Sequence, residues 1–215
     1  MYLPEMFSQD RVEVMHELIH MHSFAVLVTF GADGFNANHL PLLIDPEPRP
    51  FGTLIGHVAR ANPVWRESGD KAGALAVFCG PHSYVTPSWY ASKRDSGKVV
   101  PTWNYAVVHA YGPLIAHHDP EWLRNVVTRL TDKNEAARAQ PWKVTDAPGE
   151  FVDSRLKAIV GIEIALRRLE GKWKVSQNRT PRDRAGVVAG LRALGDPDSA
   201  AMAQLVADVR SDAAG

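Results

Sequence analysis

Cysteine is nearly absent from this chain, neither sign of charge predominates, and no apolar run approaches the length of a bilayer. The single cysteine, Cys79, excludes a disulfide framework, and its place in the run AGALAVFCG predicts a small core residue. Twenty-four basic residues balance twenty-four acidic ones, so no global field draws the protein onto nucleic acid or an anionic membrane. The first residues lack the order of basic, apolar and small residues that marks a signal peptide, which predicts a cytoplasmic protein that crosses no membrane. GxSxG, P-loop and GxGxxG patterns are missing too, which removes the main support for an α/β-hydrolase, a nucleotidase or a Rossmann dehydrogenase.

What is present is the composition of an ordinary globular protein, 45% hydrophobic and 22% charged over 215 residues. After MYLPEMF, a cap at Ser8 or Asp10 and the period of Val12, Met15, Leu18 and Ile19 predict a helix to about Met21. SFAVLVTF, the turn GADG and FNANHLPLLID read as an antiparallel pair over 23–45, followed by strands at FGTLIGHV and AGALAVFCG. Between those two, Asn62 and Pro63 predict the cap and first position of a short helix through NPVWRES. YAVVHAYGPLIAHH reads as a long fifth strand, DPEWLRNVVTRLTDKNEAAR as an amphipathic helix, and KAIVGIEIALRR as a sixth strand continuing past a turn at EGKW. The tail from about Pro181 to Arg210 reads as two helices broken at GDP. This order is mainly β with helices (α+β), and it fits a small six-stranded antiparallel barrel with peripheral and C-terminal helices better than a doubly wound βα fold.

The shortest recognisable motif is HELIH, residues 16–20, the zincin pattern of two His one turn apart. On a helical projection Val12, Val14, Met15, Leu18, Ile19 and Met21 share one arc, while Glu13, His16, Glu17 and His20 lie opposite. That predicts a solvated face, with no metal and no zinc peptidase. His117 and His118 read as boundary residues before the cap Asp119.

Three longer segments carry more. GHVARANP joins a strand to a helix start, and His57, Arg60 and the amides around Asn62 suit a phosphate monoester, with capping and surface pairing as the alternative. GKWKVSQNR brings Lys172, Lys174 and Arg179 together with Ser176, Gln177 and Asn178, as a binding turn or a basic surface turn. GPHSYVTPSWYASKRDSGKVVPTWNY, residues 80–105, holds Tyr84, Trp89, Tyr90, Trp103 and Tyr105 with Thr86, Ser88, Thr102 and Asn104 between them. Flat aromatic area beside a phosphate site suits a phosphorylated planar cofactor, and flavin mononucleotide (FMN) is the economical choice.

The order MYLPEMF, NHLPLLID, GHVARANPVW, YVTPSWY, VPTWNYAVVHAYG and GKWKVSQNR resembles the PaiB-type FMN-binding negative transcriptional regulators, over nearly the whole chain to about residue 195. The resemblance implies the FMN-binding split barrel related to pyridoxine-phosphate oxidases, as a domain over 1–180 with a helical extension over 181–215, in a homodimer with FMN between subunits. It implies His57, Arg60 and Asn62 near the phosphate, and Tyr84, Thr86, Ser88, Trp89, Thr102, Trp103 and Asn104 near the flavin. Lys174, Gln177 and Arg179 would follow, supplied by the same chain or by its partner. The functions it implies are repression, with DNA bound directly or through a partner, and alternatively an FMN-dependent oxidoreductase using NAD(P)H. No catalytic residue is evident; Tyr90, His82 and His109 are the candidates. The helix over 119–138 interleaves Arg124, Arg129, Lys133 and Arg138 with acids, a solvated face rather than a DNA-reading one.

Overall fold

A computed structural model describes residues 1–31, 34–66 and 73–209. The GADG turn, the end of NPVWRES and the last residues of the tail from 210 onward lie partly or wholly outside these residues. In chain order the first elements are β1 (Ser8–Gln9), α1 (Val12–Met21), β2 (Phe24–Gly31), β3 (Gly34–Pro41), β4 (Leu43–Asp45), β5 (Thr53–Ala59) and β6 (Gly73–Val85). Then come α2 (Ser92–Ser96), β7 (Thr102–His117), α3 (Pro120–Glu135), α4 (Gly149–Leu156), β8 (Ile159–Ala165), β9 (Arg168–Lys174), α5 (Pro181–Leu194) and α6 (Pro197–Ala207). No helix among the described residues is long and apolar enough to cross a membrane.

The chain forms two compact units. The larger comprises Val12–Phe78 and His109–Leu169, and the smaller Met1–Arg11, Cys79–Val108 and Glu170–Gly215. β6 and β7, which are hydrogen-bonded neighbours, each contribute residues to both.

In the larger unit β2 pairs antiparallel with β3 and with β6, and β5 pairs with β4 and β8, which pairs with β7. The strands alternate as a half-buried sheet requires: Ala25, Leu27 and Thr29 of β2 are buried, while Phe24 and Phe30 are exposed. α3 lays Val126 and Leu130 on Leu43 of β4 and Ile55 of β5, with Trp122 at the edge. Its other buried residue, Leu123, packs with Val144 and with Val152 and Leu156 of α4. On α1 the buried residues are Met15, Leu18 and Ile19, within the predicted arc, and Glu13, Glu17 and His20 are exposed. His16 is half-buried, with its Nε2 2.9 Å from the Phe51 carbonyl. Met21, placed on the apolar arc by periodicity, is exposed at the helix end.

In the smaller unit β1 pairs with β9, Ser8 opposite Lys172. α5 begins at the Thr180 cap, whose hydroxyl accepts from the Asp183 amide, and ends at Gly195 in the left-handed conformation, φ 75°. α6 starts one residue later on the Asp196 cap, so the predicted break at GDP is real. Two glycines let α5 approach the Pro87–Trp89 turn. A Cβ on Gly186 would lie 2.0 Å from the Trp89 carbonyl oxygen, and one on Gly190 would lie 2.3 Å from the indole.

Asp183 also holds the start of α2. Its carboxylate accepts from the Ser92 amide at 2.9 Å and the Ser92 hydroxyl at 2.8 Å. Burial alone would raise its pKa, but the Ser92 and Thr180 donors and the charge of Arg179 outweigh it and hold the group below the ordinary value. A depressed carboxylate pKa contributes stability that is complete above the unfolded value and is lost as pH falls through the folded one. Asp183→Asn is therefore expected to lower stability at pH 7 by about 1–2 kcal/mol, with the gap to the wild type closing in acid. Thermal melts across pH check this, and a deficit that persists at low pH contradicts it.

The class is the mixed α+β, antiparallel-sheet fold expected, with nine strands among the described residues instead of six. Three differences have simple causes. FNANHLPLLID divides into β3 and β4, and the turn after β8 falls at 166–167, so EGKW lies within β9. GEFVDSRL forms α4, whose single turn-and-a-half of apolar period is too short to stand out in sequence. Cys79 is exposed, because strict alternation along β6 buries Phe78 and Gly80 and turns the residue between them outward.

Candidate functional site

Of the thirteen residues assigned from sequence, His57, Arg60 and Asn62 lie in the larger unit and the other ten in the smaller. His57 opposes Gly161 across β5 and β8, and Gly161 opposes His117 across β8 and β7. Directly opposed residues share a sheet face. Trp122 covers that row: its ring would lie 2.1 Å from a Cβ on Gly161, and it stacks on the His117 imidazole at 4.2 Å and 7°. His117 in turn meets Glu163 at 2.8 Å. Burial lowers the His57 pKa, so the ring is neutral at pH 7, and its Nδ1 has no hydrogen-bond partner. His57 offers a hydrogen bond, not a charge.

Arg60 closes the same strand end. Its Nε donates to the Lys157 carbonyl at 2.7 Å and an Nη to the Ile159 carbonyl at 2.8 Å, while the other Nη lies 3.4 Å from His118. Two donors of the fork are thus spent on backbone, and the guanidinium is a strut as well as a cation. Asn62 caps the Pro63–Trp65 turn, accepting from the Val64 amide at 3.0 Å, and donates to Asn38 at 2.6 Å. Asn38 donates on to Asn36 at 3.1 Å. Sequence reading passed over Asn36 and Asn38; the signal was an amide pair at alternate positions of a strand, on one face.

In the smaller unit the YVTPSWY and TWNY segments are strand ends, not a long loop. Tyr84 ends β6 and Trp103 begins β7, both exposed, with ring centroids 6.2 Å apart; His82 lies 5.7 Å from Trp103. This aromatic surface is open. Trp89 is different, since its indole lies against Gly190 of α5. Thr86 caps the turn by accepting from the Ser88 amide at 3.3 Å, and the Ser88 hydroxyl accepts from Lys93 at 3.2 Å.

GKWKVSQNR gathers the charge. Lys174 donates to the Thr102 hydroxyl and, at 2.6 Å, to the Trp103 carbonyl. Burial first, then the charges of Lys172 and Arg179, push its pKa below the ordinary lysine value. Lys172 is itself buried, donating to the Tyr2 carbonyl at 2.9 Å with its ammonium over the rings of Tyr2 and Tyr105. Arg179 lies 4.5 Å above the ring of buried Tyr90, whose pKa is raised mainly by burial and opposed by that guanidinium. Gln177 folds back on its own turn, accepting from the Val175 amide and donating to the Trp173 carbonyl, so its amide shapes the backbone. Among the described residues Ser176 is the one non-glycine residue with positive φ, 66°, and its hydroxyl accepts from Asn104 at 2.9 Å. Asn104 is 1% exposed, and its carbonyl oxygen has no partner. A strained turn, a buried acceptor that an N–H donor would complete, three neighbouring cations and an open aromatic face are the chemistry of a site for a phosphorylated planar ring. The residues present fit FMN.

Each candidate acid–base residue has a neighbour of its own. Tyr90 is tied to Arg179, His82 to Trp103, and His109 has its Nδ1 3.3 Å from the Tyr111 hydroxyl.

The family model described as "Putative FMN-binding domain" matches residues 1–168. The Bacillus subtilis protein named "Protease synthase and sporulation protein PAI 2" is 32% identical over 208 residues, covering 97% of each chain. An uncharacterised Emericella nidulans protein is 32% identical over 241 residues, covering 96% of each. Among solved structures, the FAD and heme binding protein of Mycobacterium smegmatis superposes with a TM-score of 0.57 at 14% identity, over 78% of this chain and 73% of that one, a likeness of fold. The family model covers most of the chain and the relatives align over nearly all of it, and the chain belongs to the PaiB-type family of FMN-binding domains, with FMN as its cofactor.

Proposed function

We infer that this chain is a homodimeric FMN-binding regulator that lowers expression of its target genes, directly or through a protein partner. Its full-length similarity to a protein named for protease synthesis and sporulation carries the reading. Lys174, Arg179 and Asn104 hold the cofactor, the two cations at its phosphate, with Tyr84 and Trp103 flanking the ring. Thr86, Ser88, Trp89, Thr102 and Gln177 act on the site by shaping the turns that carry it, while His57, Arg60 and Asn62 shape the end of β5 and the turn after it. When bound, FMN supplies a ring that accepts a hydride or single electrons.

α3 is a poor DNA reader: Arg124 pairs with Asp153, Arg129 pairs with Asp45 through both Nη groups, and its apolar face is buried on β4 and β5. That arrangement favours a dimer surface or a partner as the route to DNA.

The test uses the FMN-loaded protein and a strain lacking its gene. A defined set of transcripts is expected to rise in that strain, and the purified protein is expected to sediment as a dimer. Binding to the promoters of those transcripts at several salt concentrations then separates direct from partner-mediated action. Unchanged transcripts, with rapid flavin turnover by NADH or NADPH, would replace the regulator by the oxidoreductase reading.

A further inference from the structure

The larger unit contains a cavity of about 430 Å³ whose lining shares no residue with the assigned flavin site. It sits where β2 and β3 meet at Phe30 and Phe35, which are paired across the hairpin; Asn38, the partner of Asn62, pairs further along with Leu27. Its size lies within the range of small-molecule sites, about 300–1,000 Å³.

The lining has a distinct chemistry. Phe30 and Phe35 meet edge to face with centroids 5.0 Å apart, and they are 62% and 82% exposed. Tyr111 contributes a third ring, with the Arg168 guanidinium 3.6 Å over its face. Arg167 also lines the cavity, its backbone amide held on the Tyr111 carbonyl at 2.9 Å, and its side chain has no ion pair among the described residues. No acidic residue is found among the described lining residues. Single exposed aromatics need no explanation. Three rings around a concave surface, beside two guanidinium groups, do.

We propose that this cavity binds a planar aromatic anion, an aryl carboxylate or its like, with the ring packed among Phe30, Phe35 and Tyr111 and the charge met by Arg167. Apolar area supplies affinity, the planar guanidinium stacked on Tyr111 extends the flat wall, and the Arg167 charge selects against neutral and cationic rings of the same shape. The site gives the protein a second ligand in addition to FMN.

Calorimetric titration of the FMN-loaded protein with 2-naphthoate and with neutral 2-naphthalenemethanol tests this. One naphthoate per chain is expected, bound at least tenfold more tightly than the alcohol. Arg167→Gln and Phe35→Ala, both at exposed positions, are each expected to weaken naphthoate at least tenfold while keeping the wild-type FMN content, which also reports folding. Equal affinity for acid and alcohol overturns the proposal, as does unchanged binding in Arg167→Gln, which decides alone if Phe35→Ala does not fold. If wild type binds neither probe and the variants change the oligomeric state, the cavity is a contact between copies and the proposal fails.

Discussion

Lys174→Ala is expected to lose FMN affinity by tenfold or more, and Lys174→Arg to recover part of it. The ammonium is held between the Thr102 hydroxyl and the Trp103 carbonyl at the start of β7. Those neutral acceptors orient the charge and leave it unbalanced. Its lowered pKa reports burial and the repulsion of Lys172 and Arg179, a positive field that a phosphate would relieve. A hydrogen bond to a charged group is worth about 1.5–3 kcal/mol, which is roughly one to two decades in Kd. The protonated form binds a dianion better, so affinity should fall as pH rises through the depressed lysine pKa, and that dependence should flatten in Lys174→Ala. Recovery of free-flavin fluorescence on dilution measures both effects. Lys98→Ala, in the exposed segment before β7, should bind FMN as the wild type does, and equal affinity in Lys174→Ala would move the phosphate to other residues.

Gly112→Ala is expected to be among the most destabilising single-methyl changes in the larger unit. A Cβ there would lie 2.2 Å from the Ala165 carbonyl oxygen and 2.9 Å from the Ile164 side chain. The obstructing atom is backbone, held in place because β7 and β8 are paired from Leu114 opposite Ile164, and because the following turn is bonded back through Arg167 to Tyr111. A rotamer change relieves none of this, so the strands must separate. Overpacking of this kind costs about 3 kcal/mol, and the melting temperature of a chain this size should fall by roughly 6–12 °C. Gly149→Ala, at the first residue of α4 with nothing within 4 Å of the new Cβ, should stay within about 1 kcal/mol of wild type. Thermal unfolding followed by circular dichroism compares them directly, and a wild-type melting temperature for Gly112→Ala would refute the close approach.

Much of the fold was legible because its signals are local. Thr180, Asp196 and Gly195 mark the ends of α5 and α6 by satisfying or releasing backbone groups within one turn, and the buried residues of α1 follow the helical period. The same period turned Glu13 and, within HELIH, Glu17 and His20 to solvent. The elements that were misread lack such signals. β1 is two residues long, α4 is eight, and β9 is separated from β8 by a turn with neither glycine nor proline. Cys79 was misread because an apolar run looks the same whether one or both faces of its strand are covered.

By itself, the sequence determined the family and the cofactor class, and it singled out the few stretches rich in the cations, amides and aromatics that a phosphate and a planar ring demand. What each side chain does was decided by tertiary structure. Arg60 braces the Lys157 and Ile159 carbonyls, Gln177 closes its own turn, and Trp89 lies on a glycine of α5. Lys172 and Lys174 form a repelling cationic pair, and Asn104 retains an unpaired buried oxygen. Residue types set the donors and charges a segment can offer; packing sets which of them are spent on the protein and which remain for a ligand, since every buried polar group must find its partner in three dimensions.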